Sequence, residues 1–452
     1  MNNLFYNILF VIFLFTLWIL AFKGRSVAIK FFKNEVLLNL VFYFISVKLL
    51  LHFTIPTILR ILSDYQFEKE DNVKLYDLLT IYIIEIFSWF FWLIGFIIVG
   101  ILFKEKYNKI EKNNFLKLNL KQSKYLILII SFGFIIHMYY LVSLNTEGFV
   151  FSLFSQLFFF AGLTMGPLLI ISYKKSFNLF YLFLGIVVFV ISLFSLATRG
   201  AMIYSFFYII FLTLYLFYSR KILIRVSIIS IVVLLFFSIF PDLLGGRISI
   251  NENGVNLVAQ DYSEKQQGRN FIDELEWRLG APTRIGTAFI QLREESPAGI
   301  NPIKNSLIGI LPRSLNENKP HPSSLIGNDQ YSLGMYLICH KIYGTESLMV
   351  EFPTGAHFYW EFGIAGIVIL SIVSGLYIGL CLKFWSRIGL VAIPLIIATF
   401  KPFGYVDPKI WVSDIAMQLY QIILPLFFLI SIFKLYNFFA KYFKKINYPK
   451  SL

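Results

Sequence analysis

Apolar residues run along this chain in blocks of about twenty, the length at which a helix rising 1.5 Å per residue crosses a hydrocarbon core of about 30 Å. The blocks predict about eleven spans, near residues 4–22, 36–59, 78–102, 124–143, 149–172, 178–197, 201–218, 222–240, 358–382, 388–405 and 411–434. One turn is dictated by length alone. From Phe177 to Ser219 the only charged side chain is Arg199, and a single helix through 178–218 would be about 60 Å long, twice what a bilayer needs. The chain must fold back at Thr198-Arg199-Gly200. Arg199 then lies at the membrane surface and escapes the cost of about 2.5–3.5 kcal/mol that an arginine carries at the bilayer centre.

Composition agrees with this pattern. The chain is 58% hydrophobic and 15% charged, whereas soluble domains carry about a quarter charged residues. The expected fold class is therefore all-α, a polytopic helical membrane protein embedded in a lipid bilayer.

Charge adds an orientation. The segments after the first, third, fifth, seventh and ninth spans, together with the C-terminal tail, hold more than half of the 40 lysines and arginines. Among them are Lys23, Arg25 and Lys30, the seven lysines from Lys104 to Lys124, Arg220, Lys221 and Arg225, and Lys383 and Arg387. The only acids on that side are Glu35, Glu105 and Glu111. Positive charge marks the cytoplasmic side, so the reading is N-terminus outside, C-terminus inside and Arg199 on the outer surface. The net charge of +14 then expresses orientation and implies no nucleic-acid partner. The first block lacks a cationic n-region and a small-residue cleavage site, so it reads as a span and not as a signal peptide. Cys339 falls outside and Cys381 at the inner end of a span, which excludes a disulfide between them.

One hydrophilic stretch is much longer than the other outer connections. It divides the chain into eight membrane helices over 1–240, an outer loop subdomain over 241–357, and three further helices with a cytoplasmic tail over 358–452. "FIDELEWRLG" and "RIGTAFIQLREE" carry helical periodicity, and "QYSLGMYLICHKIYG" is apolar enough to lie on the membrane face. The basic residues of the loop are mostly arginines, among them Arg278, Arg284 and Arg313. A guanidinium fork binds phosphate oxygens bidentately, which suits a diphosphate at the membrane surface. The ordinary alternative is helix-face ion pairing, as in "ELEWR" and "REE".

The densest segment is "ESLMVEFPTGAHFYWEFGIAG", 346–366, which sets Glu351, His357 and Glu361 just before the ninth span. A histidine or carboxylate there can take a proton from a sugar hydroxyl; His357 and Glu361, four apart, can equally pair on one helix face. Inside the spans Lys48, His52, Glu85 and His137 stand out. A buried Lys48–Glu85 pair closing spans 2 and 3 is the preferred reading, with a proton path as the alternative. No Asp-x-Asp, phosphate-cradling glycine loop, Cys/His metal cluster or Gly-x-Ser-x-Gly elbow is present. An outer arginine-rich site without a metal motif points to a donor whose leaving group is already a diphosphate.

The many-span arrangement, the outer turn "SLATRGA", the late outer loop holding "GILPRS" and the closing "HFYWEFGIAG" resemble the O-antigen polymerases, the Wzy family of oligosaccharide repeat-unit polymerases. The related O-antigen ligases share the arginine turn and the ending, and the spaced Arg-x10-Gly pattern of some polymerases is absent from the loop. The resemblance implies a GT-C-like, metal-independent glycosyltransferase of the bacterial inner membrane with no cofactor. Its partner would be undecaprenyl-diphosphate-linked oligosaccharide, with a chain-length regulator and a flippase as associated proteins. Arg199, Arg278, Arg284 and Arg313 would then bind the departing diphosphate, and His357, Glu351 or Glu361 would activate the acceptor hydroxyl. The competing functions are ligation of finished chains and flipping of the lipid-linked unit; flippases often show internal repeats, and none is visible here.

Overall fold

Helices with apolar faces all round organise the chain. The computed structural model describes residues 2–32, 34–62, 74–103, 125–139, 157–159, 161–176, 179–195, 246–251, 254–259, 280–295, 297–310, 353–386, 391–400, 408–410 and 418–432, with residues 154, 412, 415 and 435. In chain order the helices are α1 (Asn2–Ala28), α2 (Glu35–Leu49), α3 (Ile55–Leu62), α4 (Leu75–Leu102), α5 (Tyr125–Tyr139), α6 (Met165–Ser176) and α7 (Leu179–Ser195). After a β-hairpin of β1 (Gly246–Asn251) and β2 (Gly254–Ala259) come α8 (Ala281–Glu295), α9 (Asn301–Ile310), α10 (Thr354–Phe362), α11 (Ile364–Trp385) and α12 (Ala392–Phe400). The hairpin pairs Ile248 with Leu257 and Ile250 with Val255, a period-2 pattern that the span-length reading of the chain passed over.

Among the described residues, four helices are long and apolar enough to cross a membrane: Leu4–Ala28, Glu35–Leu62, Leu75–Leu102 and Ile364–Trp385. They correspond to the predicted blocks 4–22, 36–59, 78–102 and 358–382. The second is one rod made of α2 and α3 joined by a π turn, Leu50–Thr54. Its cause is Pro56, which has no N–H to donate and whose ring crowds the preceding turn; widening the ladder by one residue, with the Ile55 N–H bonded to the Leu50 carbonyl, absorbs the defect. The same device recurs at Leu419–Ile423, again two residues before a proline, Pro425.

Cross-helix pairs fix the directions. Phe10 meets Tyr82, with ring centroids 5.1 Å apart, and Gly24 faces Leu93, so α1 and α4 run in the same direction. Trp18 donates to Thr54 and Arg25 to Asn39, so the α2–α3 rod runs antiparallel to α1. Ser88 bonds Ser371, and a Cβ on Gly375 would lie 2.1 Å from the Trp92 carbonyl oxygen, so α11 is parallel to α4. Gly95 and Gly375 let these two backbones touch, the close approach that small residues permit between apolar helices. α6 and α7 form an antiparallel pair in which Gly166 faces Phe189 and Gly185 faces Leu169 and Ile170.

Two predicted boundaries need correction. The block 149–172 is interrupted by a turn at Leu163–Thr164 before α6. There the Thr164 hydroxyl donates to the Ala161 carbonyl at 3.1 Å, the local competition with the helical ladder that threonine offers. The block 358–382 begins too early: Gly363, at φ +64°, ends α10, and the membrane-length helix starts at Ile364. The blocks 201–218 and 222–240, the Arg199 turn and "QYSLGMYLICHKIYG" lie outside the described residues.

Candidate functional site

The helix that carries His357 and Glu361 is short and closed at both ends by other parts of the chain. α10 starts after Pro353, which offers no side-chain acceptor to the first turn. The acceptor comes instead from α4: Glu85 Oε1 receives the Gly355 N–H at 2.7 Å, a carboxylate where the helix dipole favours negative charge. At the other end the Gly363 N–H bonds the Tyr359 carbonyl at 2.7 Å. The Glu361 carbonyl receives Arg293 Nη1 at 3.1 Å and the Gly299 N–H at 3.0 Å.

His357 and Glu361 lie on one face, with Nδ1 3.2 Å from Glu361 Oε1, and both are fully buried. The imidazole is enclosed by Phe289 and Trp360, with ring centroids 5.9 and 5.6 Å away. Burial lowers the His357 pKa to about 3, so the ring is neutral at pH 7.

α8 packs along α10 in the same direction. Gly286 faces Pro353 and Ile81, Phe289 faces His357, and Arg293 reaches Glu361. This packing makes a second, smaller core from Ile81 and Ile84 of α4, Ile285, Phe289 and Leu292 of α8, and Trp360 of α10. Residues 282–289 of α8 are buried on every face, Arg284 among them at 0% exposure. Thr283 and Thr287 satisfy their hydroxyls on the Gly280 and Arg284 carbonyls at 2.8 and 2.6 Å. The structure thus brings Arg284, His357 and Glu361 to one pair of helices. Glu351, Arg199, Arg278 and Arg313 lie outside the described residues.

Glu85 has a different cation from the one expected. Its partner is Lys409, not Lys48: the Lys409 ammonium bonds Glu85 Oε2 and, at 3.2 Å, Ser88 Oγ, and lies 4.4 Å from the centre of the Trp89 ring. The 408–410 segment is pinned by two more bonds, Thr354 Oγ1 to the Lys409 carbonyl at 3.3 Å and the Ile410 N–H to Ser374 Oγ at 2.8 Å. Lys48 is buried in α2, at the turn that leads into the π segment. Lys409 precedes the last apolar block, 411–434, so a search for charges within spans does not reach it. The signal available was its place at the same predicted outer level as Glu85.

No family model, curated protein or solved structure matches this chain.

Proposed function

We propose that this chain is an O-antigen polymerase, a metal-independent glycosyltransferase of about eleven membrane helices in the bacterial inner membrane. It moves a growing glycan from undecaprenyl diphosphate onto the end of a new lipid-linked repeat unit at the periplasmic face. The observation that carries the reading is the gathering of Arg284, His357–Glu361 and Glu85–Lys409 at one end of the parallel set α1, α4 and α11. The opposite ends of those helices carry Arg25 and Lys383, members of the lysine-rich segments. With positive charge inside, the buried ionisable groups belong to the periplasmic end, where the lipid-linked donor and acceptor meet.

In this reaction the acceptor hydroxyl oxygen forms a bond to the anomeric carbon of the donor. The bond from that carbon to the diphosphate oxygen breaks, and undecaprenyl diphosphate leaves with the electron pair. Arg284 is wholly enclosed as well, so it meets the departing diphosphate only when α8 parts from α10, where its guanidinium offers a counter-charge; Arg199, Arg278 and Arg313 are further candidates. The hydroxyl proton passes to the His357–Glu361 pair or to Glu351. Because His357 and Glu361 are enclosed in the described conformation, acceptor access to them requires α8 to part from α10.

The test is the lipopolysaccharide gel profile of the host after deletion of this gene. Polymerase function leaves core plus a single repeat unit, and the wild-type gene restores the ladder. Loss of all units from the core overturns the reading: long chains on undecaprenyl diphosphate then mean ligase, and trapped single units mean flippase.

A further inference from the structure

We infer that Glu85 and Lys409 are positioning residues that set the place of α10 on the helix bundle, and through it the place of His357 and Glu361. The part of this inference that concerns chain growth rests on the polymerase reading; the part that concerns α10 does not.

Three observations carry it. Pro353 cannot cap α10, and Glu85 does so from another helix through the Gly355 N–H. Gly355 is small enough for that approach, since a Cβ there would lie 2.5 Å from Glu85 Oε1 and 3.0 Å from the Ser88 Cβ. The second oxygen of the same carboxylate binds Lys409, whose own carbonyl accepts from Thr354, the first residue of α10. One carboxylate therefore ties three distant segments, α4, the start of α10 and 408–410, into a closed ring of contacts at the root of the helix that holds the His357–Glu361 pair. With both of its oxygens filled the carboxylate is held in place, and the Thr354 bond to the Lys409 carbonyl adds a second tether at the first turn of α10.

Two double variants separate positioning from mere folding. E85Q/K409M removes both charges together yet keeps an amide oxygen for the Gly355 N–H; E85L/K409M removes the charges and the acceptor. In detergent-purified protein, hydrogen–deuterium exchange of the 354–362 amides should stay near wild type in E85Q/K409M. In E85L/K409M it should rise at least tenfold, while α11 remains protected. In the deletion strain at matched abundance, E85Q/K409M should restore long chains and E85L/K409M only short ones. Thr354→Val leaves both charges in place and cuts the link to Lys409, and should raise α10 exchange severalfold; it decides the matter if E85L/K409M fails to accumulate. Unchanged α10 protection in E85L/K409M and in Thr354→Val overturns the inference. Faster α10 exchange with normal chain length overturns the catalytic half of it. If deletion removes every unit from the core while α10 loosens as expected in the variants, the polymerase reading falls and the structural role of Glu85 stands.

Discussion

Gly355 and Glu85, 270 positions apart in sequence, are joined by a 2.7 Å hydrogen bond from a helix N-terminal N–H to a carboxylate. The contact depends on the absence of a side chain at 355. Gly355→Ala should displace the carboxylate and cost about 1–3 kcal/mol from overpacking alone. Gly299→Ala is the control: nothing lies within 4 Å of its added Cβ, and only the left-handed backbone at φ +57° is penalised, by about 1–2 kcal/mol. Thermal unfolding of Gly355→Ala in detergent, in wild type and in a Glu85→Ala/Lys409→Met background, checks the contact: the loss should shrink when the carboxylate is absent, and an equal loss in both backgrounds would contradict it.

The partner of Glu85 can be read by double-mutant cycles. Lys409→Met alone leaves a buried carboxylate uncompensated and should destabilise by about 3–5 kcal/mol, whereas the 85/409 double variant should recover much of that. A cycle between Glu85→Gln and Lys48→Met should be additive within about 0.5 kcal/mol, since sites that share no partner do not couple. A large 85/48 coupling would restore the pairing expected from sequence.

His357 gives a stability effect with a definite sign. Its folded pKa is lowered by burial to about 3 from the ordinary 6.5, so between those values the unfolded chain binds a proton that the folded one refuses. Stability is then full above about pH 6.5 and falls as the pH drops towards 3. Melting temperature measured from pH 7.5 to 5 should decline in Glu361→Gln and decline less in His357→Phe/Glu361→Gln. Both lack the neighbouring carboxylate, so the difference isolates the imidazole, and equal slopes would show that it titrates elsewhere.

The two arginines of α8 should fail in different ways. Arg293→Met loses charged hydrogen bonds to the Trp360 and Glu361 carbonyls and should lower the melting temperature, each such bond being worth about 1.5–3 kcal/mol. Under the polymerase reading Arg284→Lys keeps the charge but not the bidentate fork, and should shorten chains at unchanged abundance. The gel ladder, normalised to membrane protein level, tells these apart; long chains with Arg284→Lys would remove Arg284 from the diphosphate site.

The sequence by itself determined the apolar rods that the structure describes, and it offered the His357–Glu361 contact as one of two readings of that pair. Blocks such as 36–59 and 78–102 match Glu35–Leu62 and Leu75–Leu102 within a few residues, because a chain in lipid must satisfy its backbone internally and a helix does so from local bonds. The pair at 357 and 361 follows from the same local geometry, four residues being about one helical turn. What only the tertiary structure decided is which rods touch and in which direction. Apolar helices look alike on every side, and their approach is selected by small residues such as Gly95 and Gly375 whose partners the periodicity does not name. The choice of Lys409 over Lys48 is of the same kind. A buried carboxylate needs a cation, but with 324 positions between Glu85 and Lys409 it is packing, and not nearness along the chain, that decides which lysine arrives.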